Sequence, residues 1–164
     1  MFAFARAITY AALFIGFFLV YVPRTIVRDL GGGTPSAFGF AQLIGAALAT
    51  LGAVVALWCV FSFATRGRGT PAPFDPPRAL VVVGPYGFVR NPMYLGAILA
   101  LLGAALYWTS ASLLVYALGF AACCHLFVVA FEEPYLRRTF GPPYETYCRN
   151  VRRWWPRWRA TKGT

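Results

Sequence analysis

Residues 38–64 read FGFAQLIGAALATLGAVVALWCVFSFA, with no charged side chain among them. About 20 apolar residues are what a helix needs to cross the hydrocarbon core of a bilayer. Water is absent there, so the backbone must satisfy its own hydrogen bonds, and a helix does this within one segment. Gly45, Ala49, Gly52 and Ala56 recur at helical spacing inside the run. Such a stripe of small residues lets a second helix approach closely.

Working outward, three more apolar runs appear. Phe4 to Val22 carries only Arg6, and Pro23-Arg24 is expected to end it. It lacks a small-residue cleavage site, so it is read as a retained span rather than a signal peptide. Gly31-Gly32-Gly33 and Pro35 then break the chain. Met93 to Trp108 is shorter and bears its own stripe, Gly96, Ala100, Gly103 and Ala104. Ala111 to Phe131 follows after Thr109-Ser110, so the last two runs are expected to form a tight hairpin. Tyr107 and Trp108 suit the aromatic belt of a membrane interface.

Composition agrees: 59% of the residues are hydrophobic and 12% charged. A soluble domain of 164 residues could not bury so much apolar surface. The net charge of +10 comes mainly from arginine. Its distribution flanking apolar runs fits anionic headgroups and the positive-inside rule better than nucleic acid, which needs a soluble basic face. Arg66, Arg68, Arg78 and Arg90 lie between the second and third runs, and Arg137, Arg138, Arg149, Arg152, Arg153, Arg157, Arg159 and Lys162 after the fourth. Both segments are therefore expected on the cytoplasmic side.

The chain is read as a single all-α integral membrane domain over residues 1–164, multi-pass, with four spans at about 4–22, 38–64, 93–108 and 111–131. A cytoplasmic amphipathic helix is expected in the tail, because Phe140, Tyr144, Tyr147 and Val151 share one helical face. Trp154, Trp155 and Trp158 among arginines read as an interfacial anchor. Cys59, Cys123, Cys124 and Cys148 lack metal-ligand spacing and read as small packing residues. His125 stands alone in an apolar run and reads as a hydrogen-bonded interior residue; no metal is expected.

Two clusters carry chemistry. The stretch Gly84 to Gly96 places Asn91 at a helix N-cap and Pro92 at the first helical position. The following backbone N–H groups, with Arg90 beside them, suit a carboxylate or phosphate. Glycines allow close backbone approach, and Tyr86 and Tyr94 offer faces and hydroxyls. The second cluster begins with Glu132-Glu133, adjacent carboxylates at the edge of an apolar run, costly unless solvated or used. The bland alternative pairs them with Arg137 or Arg138 in the next helical turn. By topology both clusters reach one membrane face.

Together these residues resemble the isoprenylcysteine carboxyl methyltransferase and phospholipid methyltransferase superfamily. Its G-x-Y-x-x-x-R-H-P-x-Y-x-G stretch matches Gly84 to Gly96, with Asn91 in the place of His, and its E-E-x-x-L-x-x-x-F-G-x-x-Y-x-x-Y stretch matches Glu132 to Tyr147. The resemblance covers about residues 78–156. It implies an S-adenosylmethionine-dependent methyltransferase acting on a lipophilic or amphiphilic acceptor drawn from membrane lipids. It also implies a cofactor region at about 78–96 and 132–156, with contacts at Ala79, Leu80, Val81, Tyr86, Asn91, Pro92, Met93, Tyr94 and Glu132. Glu133 is the expected base if the acceptor is an amine. Val128 stands where the prenylcysteine branch has an arginine, which argues against a carboxylate acceptor. The competing readings are an NADPH-dependent membrane reductase of the sterol-reductase type and a non-catalytic membrane protein of the same fold.

Overall fold

A computed structural model describes residues 13, 15–29, 38–62 and 80–156. The early part of the first expected span, the glycine loop, the basic segment at 63–79 with Ala79, and the tail beyond Pro156 lie outside the described residues. Among the described residues the chain is helical, apart from one isolated parallel bridge between Val89 and Arg152.

The first helix does not stop where expected. Ile15–Tyr21 winds as a wide π-type helix and passes directly into α1 (Val22–Asp29). Pro23 lies in the first turn of α1, where its missing N–H costs least. The widened turn before it absorbs what would otherwise be a break.

The helix α2 (Phe40–Ser62) runs antiparallel to α3 (Pro92–Tyr107), and the two small-residue stripes face each other. A methyl group built on Gly52 would stand 2.5 Å from both the Ala100 nitrogen and the Gly96 oxygen. One on Gly45 would stand 2.5 Å from the Tyr107 nitrogen, and one on Gly103 would run into the Ala49 nitrogen. The backbones themselves are in contact, which only glycine at these positions permits. At one end of this interface buried Gln42 accepts from the Gly39 N–H at 3.0 Å and donates to the Tyr107 carbonyl at 3.4 Å.

The other side of α3 packs on α4 (Ala111–Phe127) through Ala97, Leu101, Ala117, Phe120 and Cys124. Ser110 caps α4 by accepting from the Leu113 N–H. The Tyr116 hydroxyl donates to the Phe18 carbonyl and ties the first helix to α4. The helix α4 also outruns its expected end. It widens to π geometry over Val128–Glu132 and continues as α5 (Glu133–Phe140). Pro134 again falls in the first turn of the new segment, so Glu132-Glu133 marks a change of winding rather than a helix exit. Gly141, at φ 55°, then turns the chain into α6 (Pro142–Asn150).

Two described helices are long and apolar enough to cross a membrane: α2, and the continuous helix Ala111–Phe140. Neither is hidden by protein. Leu43, Leu51, Leu57 and Phe61 on α2, Val115, Leu118 and Leu126 on α4, and Phe131 on the π segment after it are all exposed. A helix apolar on every side and uncovered needs an apolar solvent, which a lipid bilayer supplies. The apolar helix α3 has 16 residues, about 24 Å at 1.5 Å per residue, short of a ~30 Å hydrocarbon core.

Candidate functional site at the loop, hairpin and tail

The loop before α3 begins where Leu80 and Val81 leave the undescribed segment. Gly84, at φ 62°, starts a short 3-10 turn, Gly84–Gly87, lying against Ser62 at the end of α2. The turn buries Tyr86, whose carbonyl accepts from the Tyr147 hydroxyl at 2.7 Å. Burial, and then the neighbouring Cys59 thiol and the Glu132 carboxyl, push the Tyr86 phenol well above its ordinary value, so it remains a donor. Val81 and Tyr86 pack with Cys59, and Val55, Val83 and Met93 close around them. This gives an apolar wall between α2 and the start of α3.

Asn91 and Pro92 are buried at the start of α3. Asn91 holds the N-cap position, as its spacing suggests, but its side chain does not cap the helix. Its Nδ2 instead donates to the Arg153 carbonyl at 3.3 Å. Tyr94, in the first turn of α3, donates from its hydroxyl to Glu132 Oε2 at 3.0 Å. The two expected clusters therefore meet through this pair, although 38 residues separate them.

The adjacent carboxylates have opposite surroundings. Glu132 is half-buried and bonded by the neutral Tyr94 hydroxyl, whereas Glu133 is buried among cations. Arg153 grips Glu133 as a fork, Nε to Oε1 at 2.7 Å and NH2 to Oε2 at 2.8 Å. Arg90 adds an NH1 contact to Oε1 at 3.2 Å and donates to Cys148 Sγ at 2.6 Å.

The pairing of Glu133 with the next helical turn does not occur. Arg137 pairs with Glu145 at 3.1 Å, because α6 folds back alongside α5. Leu80 turns away from the apolar wall and joins the tail cluster of Tyr144, Tyr147 and Val151. That cluster realises the shared face expected of the tail, although Val151 itself is extended and lies past the helix end. His125 is hydrogen-bonded but on an exposed surface rather than in the interior, accepting at Nδ1 from Trp154 Nε1 at 3.0 Å. Trp154 is thus tied back onto α4, while Trp155 is exposed. The partners missed by sequence reasoning are Arg153, Cys148 and Cys59; Arg153 is one of many tail arginines, with nothing local to single it out.

The family model for phospholipid methyltransferases matches residues 40–143, which spans α2 through the turn into α6 and so includes Gly84–Gly96 and the second cluster from Glu132 as far as residue 143. The chain belongs to the phospholipid methyltransferase family. The chain is also similar to the cobalt-zinc-cadmium resistance protein CzcN of Cupriavidus metallidurans, at 31% identity over 122 residues. That match covers 74% of this chain and 50% of the other protein, so the chain spans about half the length of the curated relative it matches. No solved structure matches the chain. The family resemblance read from Gly84–Gly96 and Glu132–Tyr147 is thereby established, and it extends forward into α2, where the residues alone offered only a compatible helix.

Proposed function

We propose that the protein is an S-adenosylmethionine-dependent membrane methyltransferase acting on a lipophilic or amphiphilic acceptor. The observation that carries this reading is the Tyr94–Glu132 hydrogen bond, which joins the two family motifs beside an apolar wall at the end of α2 and the start of α3. Membership of the phospholipid methyltransferase family supports it and favours it over the nicotinamide-reductase alternative.

The side chains suit such a cofactor. An adenine needs apolar walls, and Val81, Tyr86 and Met93 provide them. An ammonium or ribose hydroxyls need a carboxylate, and among the described residues Glu132 is partnered by the neutral Tyr94 hydroxyl rather than by a cation. A carboxylate needs a cationic donor or a helix N-terminus. Arg90 Nε is buried and without a partner among the described residues, beside the start of α3. Leu80, Val81, Tyr86, Asn91, Pro92, Met93, Tyr94 and Glu132 are the residues proposed to hold the cofactor. Ala79, the remaining expected contact, lies outside the described residues.

The cofactor supplies an electrophilic methyl group on a sulfonium. The protein's work is then alignment and exclusion of water, and near-attack geometry of this kind can be worth roughly 7–11 kcal/mol. An acceptor lipid reaches the site sideways without leaving its own solvent, so its tail pays no transfer cost. Val128, fully buried one turn before Glu132, offers no cation for an acceptor carboxylate. An amine headgroup therefore fits better, and its proton must leave before or during transfer. Glu133, gripped by Arg153 and touched by Arg90, is badly placed to take that proton.

The arginine distribution favours a cytoplasmic orientation for this face, within the proposed four-span arrangement with both termini inside. In a background with its four cysteines replaced by alanine, Thr109→Cys should react with an impermeant thiol reagent from outside and Thr146→Cys should not. The opposite pattern would invert the topology. For the reaction itself, purified protein in detergent is expected to bind S-adenosylmethionine saturably in a calorimetric titration and to give no saturable heat with NADPH. Binding of NADPH alone would favour the reductase, and binding of neither would favour a non-catalytic membrane protein.

A further inference from the structure

Among the described residues beyond α6, 151–156, there is no helix, yet this segment is fastened at three points, two just before α3 and one on α5. The Arg152 carbonyl accepts from the Arg90 N–H at 2.9 Å. The Arg153 carbonyl accepts from Asn91 Nδ2 at 3.3 Å. The Arg153 guanidinium forks onto Glu133, at 2.7 and 2.8 Å. Val151 alone of this strand packs into the tail cluster, while Arg152 and Trp155 are exposed.

The ionic contact is the strongest of the three fastenings. Backbone-type hydrogen bonds contribute modestly, whereas a charge-assisted fork onto a buried carboxylate contributes more. Glu133 is 6% exposed, and Arg90 NH1 reaches the same carboxylate from the loop side. One carboxylate thus ties loop to tail. Both of its oxygens face guanidinium groups, which leaves it badly placed to take a proton from an acceptor. A strand with few packed side chains and a few identifiable bonds opens at low cost, as lids over binding sites do.

We infer that Glu133 is a positioning residue which, through Arg153 and Arg90, holds residues 151–153 as a strap shut over the start of α3, and that the cofactor enters and leaves when this strap opens. The inference rests on the functional reading above, since the start of α3 is the proposed cofactor edge. Opening breaks only non-covalent contacts. The freed carboxylate and guanidinium groups both gain water, which keeps the open state accessible. Cofactor bound beneath the closed strap is shielded from water during transfer. Apparent cofactor affinity then scales with the fraction of molecules able to close.

The test compares Glu133→Gln, Arg153→Gln, their double variant and Arg153→Lys with the parent, using the full chain in detergent. Two readouts are taken: steady-state kinetics with S-adenosylmethionine, and amide hydrogen exchange at Arg90, whose N–H bonds the strap. Each Gln variant is expected to raise the cofactor KM on the order of tenfold, as the closed fraction falls. The kcat at saturating cofactor should stay within about twofold, because the strap orders the site without touching the reacting atoms. The double variant should be no worse than either single one, because both remove one interaction. Exchange at Arg90 should quicken in the same variants without any cofactor present. Arg153→Lys keeps the charge but loses the fork and should fall between parent and Arg153→Gln in both readouts. A collapse of kcat in Glu133→Gln with Arg153→Gln unaffected would make Glu133 a chemical group and overturn the inference. Unchanged exchange at Arg90 in the Gln variants would also overturn it. Should a Gln variant fail to fold, Arg153→Lys decides by the same criteria. A parent that binds no S-adenosylmethionine defeats the functional reading instead, and the exchange measurement still tests the strap.

Discussion

Gly52→Ala is expected to destabilise the folded protein by about 1–3 kcal/mol, the usual range for overpacking a tight interface, and Gly52→Leu to prevent α2 and α3 from docking at all. The new Cβ would lie 2.5 Å from two backbone atoms of α3. Neither atom can rotate aside as a side-chain tip could, so the helices must separate along their whole contact. Helix propensity acts the other way, since Ala is favoured over Gly by about 0.8–1.0 kcal/mol in a helix interior. The balance therefore rests on the clash. Gly119→Ala provides the contrast, because a methyl there meets nothing within 4 Å. Thermal unfolding in detergent should rank Gly52→Leu well below Gly52→Ala, Gly52→Ala below the parent, and Gly119→Ala at or slightly above it. Equal melting of Gly52→Ala and Gly119→Ala would mean that the α2–α3 contact is looser than described.

The second large effect is on cofactor affinity. Glu132→Gln and Tyr94→Phe are each expected to weaken S-adenosylmethionine binding roughly ten- to hundredfold, equivalent to losing one charge-assisted hydrogen bond of about 1.5–3 kcal/mol. The carboxylate is the group proposed to meet a cationic or hydroxyl part of the cofactor, and Tyr94 orients it at 3.0 Å. Because Tyr94 acts through Glu132, the double variant should bind little worse than Glu132→Gln alone. Calorimetric titration in detergent checks both statements. Parent-like affinity in both single variants would move the cofactor to another part of the molecule.

Much of this arrangement was legible from the residues. The stripes at Gly45–Ala56 and Gly96–Ala104 predicted helices that approach closely, and they meet each other. Two polar clusters were expected at one end of a hairpin, and they do meet there, through a Tyr94–Glu132 pair that the residues alone did not name. What escaped was of two kinds. Pro23 read as the end of the first run and Phe131 as the end of the fourth, yet π-type turns carry both helices on past Pro23 and Pro134, and no residue pattern announces such a turn. The partners of Glu133 were also hidden. Helical spacing pointed to Arg137, but α6 folds back and its Glu145 captures that side chain. Arg153, 20 residues away, takes Glu133 only because the tail returns to the loop. Local spacing governs contacts within a helix, whereas this contact is set by tertiary folding of the tail.

The most direct test of the central claim is methyl transfer from isotopically labelled S-adenosylmethionine by the full chain reconstituted in liposomes, with Glu132→Gln as control. Label should appear in the lipid-extractable fraction, first on amine-headgroup lipids or an added lipophilic amine, and the control should lose most of it at low cofactor. Label confined to water-soluble acceptors at full rate, or no transfer to any acceptor by protein that demonstrably binds the cofactor, would contradict the account.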